Sequence, residues 1–321
     1  MQFRKLGRTD IQISAILFGG WQSGKSGWTG IDDSDTIAAH RAAFEGGVTT
    51  FDTAEAYGEG YSERILAQAL HDKRDKIVIA SKVFSDHLKR SQVIEACERS
   101  LKNLDTDRID LYQIHWPSGS FGSDVVPIEE TMGALNTLKE QGKIRAIGVS
   151  NFNRAQLAEA SQFGRIDSLQ PPYSLFWRQV EVDAAPYCVK NNISILAYSP
   201  MAQGLLTGKF GKDHHFAEGD NRAKNKLFQG ETYERALKAL DQLRPLAEKY
   251  GITLGQLSLA WLIAQPQTSA IVGARNAEQA KQNSVGGKVD IDEDDLEAID
   301  EFGRSVTDRL DTNPVMRNWG G

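Results

Sequence analysis

The chain has 321 residues, 40% hydrophobic and 25% charged, an ordinary globular composition. Its 37 Lys and Arg against 43 Asp and Glu give a formal net charge of −6, which argues against a generic nucleic-acid or anionic-membrane surface. The longest apolar run, near Leu257–Ala264, is far short of the ~20 residues a membrane span needs.

The opening residues Met1-Gln2-Phe3-Arg4-Lys5 have no apolar stretch behind them, so no secretory signal is expected. Residues 1–14 read as a hairpin, with Gly7-Arg8-Thr9-Asp10 as its turn. Short apolar runs then recur as candidate strands: Ala15–Phe18, Thr49–Asp52, Ile77–Lys82, Ile109–His115, Ile144–Val149, Ser168–Gln170, Ile193–Tyr198 and Ser269–Val272. Helical punctuation separates them. Asp33 or Ser34 can cap a helix that stops at Gly46-Gly47, and Pro127 can open one that stops at Gly142. Val93, Cys97, Leu101 and Leu104 form one apolar helix face. Three segments break the pattern: 22–32, 211–230 and 305–321.

Eight strands alternating with helices predict an α/β fold, a (β/α)₈ TIM barrel with an N-terminal β-hairpin. Residues 1–321 read as one domain, with the three irregular segments at the active face. Cys97 and Cys188 lie outside any metal or redox motif and read as inert thiols of a reducing cytoplasm. No metal site is expected.

Polar residues cluster at the predicted strand ends. Asp52 ends the second strand, Tyr57 follows five residues on, Lys82 ends the third and His115 the fourth. Taken singly, Asp52 reads as a cap, Lys82 as half of an ion pair, Tyr57 as a packing residue and His115 as a satisfied polar group. Four ionisable groups on one rim are hard to explain as stability devices. A lysine ending an apolar strand needs a partner, and Asp52 is the one available.

The spans Phe51–Leu70, Ile79–Val83 and Ile109–Pro117, with Gly148-Val149-Ser150-Asn151-Phe152, resemble the aldo-keto reductase family. The segments Gly255-Gln256-Leu257, Trp261-Leu262 and Ile271-Val272-Gly273-Ala274 match as well, and the resemblance runs from Phe3 to about Val285. It implies reversible, metal-free reduction of aldehydes and ketones by a nicotinamide cofactor. Tyr57 would be the general acid, Lys82 would lower its pKa, Asp52 would hold Lys82, and His115 would donate to the carbonyl oxygen.

By the same resemblance, Ser150, Asn151 and Gln170 would hold the nicotinamide carboxamide, and Tyr198 would stack on its ring. Gly20 and Trp21 would border it. Ser199, Pro200, Met201, Gln203 and Gly204 would follow the pyrophosphate, with Lys209 and Arg222 nearby. Gly273, Arg275, Gln279, Gln282 and Asn283 would take the adenosine end, where a helix N-terminus and Arg275 suit a phosphate. Gly273 and Gln279 stand where the better-known branch carries cations. In this the chain is more similar to the branch of potassium-channel β-subunits and bacterial aldehyde and ketone reductases. NADP(H) is favoured and NAD(H) is possible. Trp21, Trp28, Phe84, Trp116 and Trp319 would line a pocket for a small apolar or aromatic carbonyl. Two other readings stay open: an NADP(H)-holding redox sensor, and a Schiff-base aldolase working through Lys82.

Overall fold

The short apolar runs become strands because both of their faces are covered, as a parallel sheet requires. The computed structural model describes residues 1–25, 30–218 and 220–310. Eight parallel strands close into a barrel: β3 (Ile16–Gly19), β4 (Thr50–Asp52), β5 (Val78–Val83), β6 (Ile109–Ile114), β7 (Ile144–Ser150), β8 (Ser168–Gln170), β9 (Ser194–Ala197) and β10 (Thr268–Val272). Ahead of them, β1 (Phe3–Lys5) and β2 (Gln12–Ser14) pair antiparallel. His115 and Tyr198 fall just beyond the last regular residues of β6 and β9; Tyr198 keeps an isolated parallel bridge to Pro172.

Helices cover the outside. They are α1 (Asp33–Glu45), α2 (Tyr61–Leu70), α3 (Arg90–Asn103), α4 (Ile128–Glu140), α5 (Arg154–Phe163), α6 (Ala184–Lys190), α7 (Gly230–Lys249), α8 (Leu254–Ala264), α9 (Ala277–Gly286) and α10 (Glu293–Thr307) among the described residues. The cap of α1 is Asp32, one residue before Asp33 and two before Ser34, the sequence candidates. Its side chain accepts from the N–H groups of Ser34 and Asp35, the reach of a residue placed just outside the first turn. Residues 305–307 of the expected tail belong to α10, whose first turn is acidic and whose last turn carries Arg304, the charge order a helix dipole favours. The polar segment 211–230 contains 3-10 turns at Asn221–Lys224 and Lys226–Phe228. No helix among the described residues is long and apolar enough to cross a membrane.

The barrel interior has two levels. In the lower one, Leu17, Ala80, Leu111, Ala146, Leu196 and Ile271 pack with Leu6, Ile11 and Ile13 of the hairpin. The hairpin therefore plugs the barrel at the N-terminal ends of its strands. Its turn sits tight there. Gly7 has φ +51°, its N–H donates to Ser194 Oγ at 2.7 Å, and a Cβ would lie 2.5 Å from the Asp167 carbonyl oxygen. The upper level is polar and faces the other end.

Between α1 and the barrel, His40 is buried with its ring centroid 4.1 Å from that of Phe18 and Nδ1 2.8 Å from the Thr36 carbonyl oxygen. Burial holds its pKa down at about 4, from an ordinary 6.5. The unfolded chain therefore takes up this proton first as pH falls. The stabilisation is complete above the ordinary value and is lost towards about 4, a span worth about 3 kcal/mol. Urea unfolding at pH 7 and again near the lowered value should show this loss. His40→Leu should flatten the difference by a similar amount.

Candidate active site

Parallel strands present their C-terminal ends at one rim, and four of the sequence candidates meet there. Lys82, on β5, is fully buried. Its Nζ lies 2.6 Å from Asp52 Oδ1, 2.7 Å from the Thr53 carbonyl oxygen and 3.3 Å from the Tyr57 hydroxyl. The Tyr57 and His115 rings meet edge to face at 5.5 Å. His115 is 9% exposed, and its Nδ1 has no hydrogen-bond partner among the described residues.

The charges at this rim follow from burial. Burial alone would lower the Lys82 pKa, but Asp52 and Tyr57 outweigh it, so the ammonium is held above its ordinary value. Burial, and then the charge of Lys82, push His115 well below its ordinary range, so its imidazole is neutral at pH 7. Tyr57 departs from the sequence expectation. Lys82 does pull the phenol down, but burial raises it by more and Asp52 adds to the rise. The phenol is thus a protonated donor at neutral pH, with its acidity restrained rather than enhanced.

Asp52 is held from three sides. Besides Lys82, its Oδ2 accepts from Gln170 Nε2 at 2.9 Å and from Gln113 Nε2 at 3.3 Å. Gln170 Nε2 also lies 3.3 Å from Gln113 Oε1. Gln113 was not among the sequence candidates, although it shares the strand face that pointed to His115. Gly148 makes room for it: a Cβ there would sit 2.3 Å from Ser168 Oγ and 2.9 Å from Gln113 Cγ. The Tyr57 loop depends on another close approach. A Cβ on Gly24 would lie 2.5 Å from the Tyr57 carbonyl carbon, and one on Gly58, at φ +65°, would lie 2.2 Å from the Gly24 carbonyl oxygen. Gly24 sits in the irregular 22–32 segment, where nothing in the sequence marked it.

The residues expected around the carboxamide are close together and already engaged. Asn151, at φ +62°, donates from Nδ2 to the His115 carbonyl oxygen and to Ser150 Oγ, and its Oδ1 accepts from the Tyr198 hydroxyl at 2.9 Å. Ser150 Oγ donates to the Gln170 carbonyl oxygen. Gly20 fits under Ser62, whose Oγ bonds its carbonyl oxygen at 2.7 Å; a Cβ there would strike that hydroxyl. Trp21 follows directly and leads into the 3-10 turn Gln22–Gly24.

Beyond β9 the backbone is irregular, with Ser199, Gln203 and Gly204 at positive φ. Pro200 is buried, and Met201 packs towards Gly255. Lys209 lies over Gly204. Burial lowers the Lys209 pKa, and the charges of Arg222 and Arg275 lower it further against Asp220. The charges of Arg222 and Arg275 thus both reach Lys209. Arg222 is also tied to Asp220, with Nε to Oδ1 at 2.9 Å, and stacks on Phe210 and Phe216.

At the end of β10, Asn276 caps α9 through the Gln279 N–H, and Gln279 Oε1 accepts from the Arg275 N–H. Gln282 bonds Glu278, Asn283 Nδ2 bonds the Gly273 carbonyl oxygen, and Gly273 lies against Gln22. Arg275, whose charge reaches Lys209, thus precedes the capped N-terminus of α9.

Of the aromatic pocket candidates, Phe84 meets the His115 ring edge-on at 5.4 Å and stacks on Phe121 at 5.6 Å; Trp116 meets Phe121 at 5.1 Å. Phe121 was not foreseen. Trp28 and Trp319 lie outside the described residues. Among the described residues no group of His, Cys, Asp and Glu could hold a metal ion, and Cys97 and Cys188 are buried free thiols pushed up to about 12 by burial.

The model of the Aldo/keto reductase family matches residues 15–304. The chain belongs to this family and is an oxidoreductase that acts on carbonyl and CH–OH groups with a nicotinamide cofactor. Aldo-keto reductase YhdN of Bacillus subtilis (strain 168) is 39% identical over 333 residues, covering 99% of this chain and 94% of the relative. An NADH-specific methylglyoxal reductase of Escherichia coli (strain K12) is 34% identical over 327 residues, covering 94% and 98%. The crystal structure of an aldo-keto reductase from Klebsiella pneumoniae in complex with NADPH superposes with a TM-score of 0.75 at 27% identity, covering 100% of both chains.

Gly148→Ala should displace the Gln113 amide from Asp52. It is expected to destabilise the fold by about 1–3 kcal/mol, as overpacking does. It should also lower turnover in the fraction that stays folded. Urea unfolding and steady-state rates on the same preparation check both effects.

Proposed function

We propose that the chain reduces aldehydes and ketones with NADPH, reversibly, at the rim formed by Asp52, Tyr57, Lys82 and His115. One observation carries this: a fully buried ammonium within reach of both a carboxylate and a phenol. A bound nicotinamide would supply the hydride to the carbonyl carbon. The chain's own groups then manage the oxygen. Tyr57, held protonated, gives its proton to the oxygen as negative charge builds there. The Lys82 ammonium acts on the phenolate left behind, favouring it at the moment of transfer. Asp52, fixed by Gln113 and Gln170, keeps Lys82 charged and aimed. Neutral His115 donates a hydrogen bond to the same oxygen.

The same ion pair weighs against a Schiff base, because a lysine held as a cation is a poor nucleophile. Ser150, Asn151, Gln170 and Tyr198 would border the nicotinamide. The run 199–204 would follow the pyrophosphate, and Lys209 with Arg275 at the start of α9 would grip a 2′-phosphate. That cation cluster favours NADPH, although one relative is named as NADH-specific. The aromatic wall of Phe84, Trp116 and Phe121 beside His115 favours apolar or aromatic carbonyls. Residues 1–321 act as one catalytic domain in this proposal.

Tyr57→Phe should lower kcat for 4-nitrobenzaldehyde by roughly 10²–10⁴, the usual worth of general acid catalysis. Nucleotide binding, followed by protein fluorescence, should be unchanged. Near-normal kcat in that variant overturns the proposal. Arg275→Ala should weaken NADPH binding by about tenfold or more, as loss of a charge-assisted phosphate contact does, and leave NADH binding nearly unaltered.

A further inference from the structure

Five carboxylates are buried among the described residues: Asp52, Glu55, Glu63, Asp110 and Asp167. Four have cations. Asp52 has Lys82, Glu55 has Arg99, Asp110 has Arg74 and Arg145, and Asp167 has Arg165. Glu63, fully buried on α2, has no Lys, Arg or His at ion-pair distance among the described residues. Burying a carboxyl without a cation is costly. A glutamate placed so is worth keeping only if its hydrogen bonds are needed.

Those bonds reach both sides of the Tyr57–Lys82 pair. Glu63 Oε1 accepts from Ser81 Oγ at 2.6 Å, and Ser81 is the chain neighbour of Lys82 on β5. Successive strand residues face opposite ways, so Lys82 enters the barrel while Ser81 meets α2. Glu63 Oε2 accepts from Asn103 Nδ2 at 3.0 Å, at the end of α3. That amide lies directly under Gly60, where a Cβ would sit 2.1 Å from it. Gly60, at φ +76°, ends the Tyr57 loop, and its N–H bonds the Glu55 carbonyl oxygen at 2.7 Å. The carboxyl is thus a strut from the strand of Lys82 to the floor of the loop of Tyr57.

We infer that Glu63 is a positioning residue for the reaction, setting the separation of the Tyr57 hydroxyl and the Lys82 ammonium through Ser81 and Asn103. This rests on the roles proposed above for Tyr57 and Lys82. The separation is 3.3 Å, already long for a strong hydrogen bond, so a small further shift weakens the coupling.

The groups facing Glu63 are few. Ser81 comes from β5, Ser100 and Asn103 from α3, and Glu55 from the loop after β4; Cys97 and Tyr112 lie in the same buried zone. Arg64 touches the cluster only through Asn103 Oδ1, at 3.2 Å. Burial first, and the charge of Glu55 last, raise the Glu63 pKa, while the bonds from Ser81 and Asn103 oppose them.

The test compares Glu63→Leu, Glu63→Gln and Ser81→Ala with the parent chain, using NADPH and 4-nitrobenzaldehyde. Single-turnover NADPH oxidation should slow by about tenfold or more in Glu63→Leu, the scale of a sub-ångström misplacement. Glu63→Gln keeps an acceptor for Ser81 but turns a donor towards Asn103, so it should fall between. NADPH binding should stay within about twofold. The basic limb of the rate–pH profile should move to higher pH, because a phenol further from Lys82 loses the charge that pulls its pKa down. Ser81→Ala should show the same shift and, with Glu63→Gln, carries the test if Glu63→Leu does not fold. A folded variant with unaltered rate overturns the inference. So does a slower variant whose basic limb has not moved, which marks a merely structural role. Tyr57→Phe separates the two levels. If it stays active, the proposed function falls and the inference with it. If it is inactive while the Glu63 variants are normal, only the inference falls.

Discussion

The rim is organised around a charge that should not be where it is. A lysine ammonium without solvent contact is stable only if its neighbours replace the water it has lost. Here the Asp52 carboxylate, the Thr53 carbonyl and the Tyr57 hydroxyl do so. Asp52 in turn would be too costly alone, and two glutamine amides complete it. The upper level of the barrel is a closed hydrogen-bond network with one charge pair at its centre. The phenol at its edge feels both the cation and the dryness of the site. Burial raises its pKa more than the cation lowers it; in the proposed reaction the cation would act at proton transfer, as charge develops beside the acid.

Much of this fold was legible because parallel strands buried on both faces leave continuous apolar runs, and eight of them count out a barrel. Asp52, Tyr57, Lys82 and His115 were legible because polar groups at strand ends stand out against those runs. What was hidden depended on distance across the barrel. Gln113 and Gln170 meet at Asp52 from 61 and 118 residues away, and no local pattern encodes that. Gly24 acquires meaning only once the Tyr57 loop lies on it. The balance at Tyr57 was also beyond the sequence, since spacing shows that Lys82 is near but not how completely water is excluded. Asp32 replaced the expected cap for a simpler reason: several acidic and hydroxyl residues in a row all look like caps.

The region beyond β9 and β10 shows how local charge can oppose the whole. A chain of net charge −6 brings Arg222 and Arg275 near enough to Lys209 for their charges to lower its pKa. Two cations beside a third make its charge costlier to keep, an arrangement that suits an anion. The pairing of Arg222 with Asp220, and its stacking on Phe210 and Phe216, tie the 211–230 segment to this cluster. Phe216, Asp220 and Arg222 are thus held in place, while residues 211–215 stay exposed.

The hairpin at the lower end has a further consequence. With Leu6, Ile11 and Ile13 filling the floor, the barrel is a vessel open at one end. In the proposed reaction, any proton that Tyr57 gives up would be replaced through the same end by which a carbonyl compound would enter and its alcohol leave. Substrate traffic and proton resupply would then share one doorway, and a molecule resting in it would delay both.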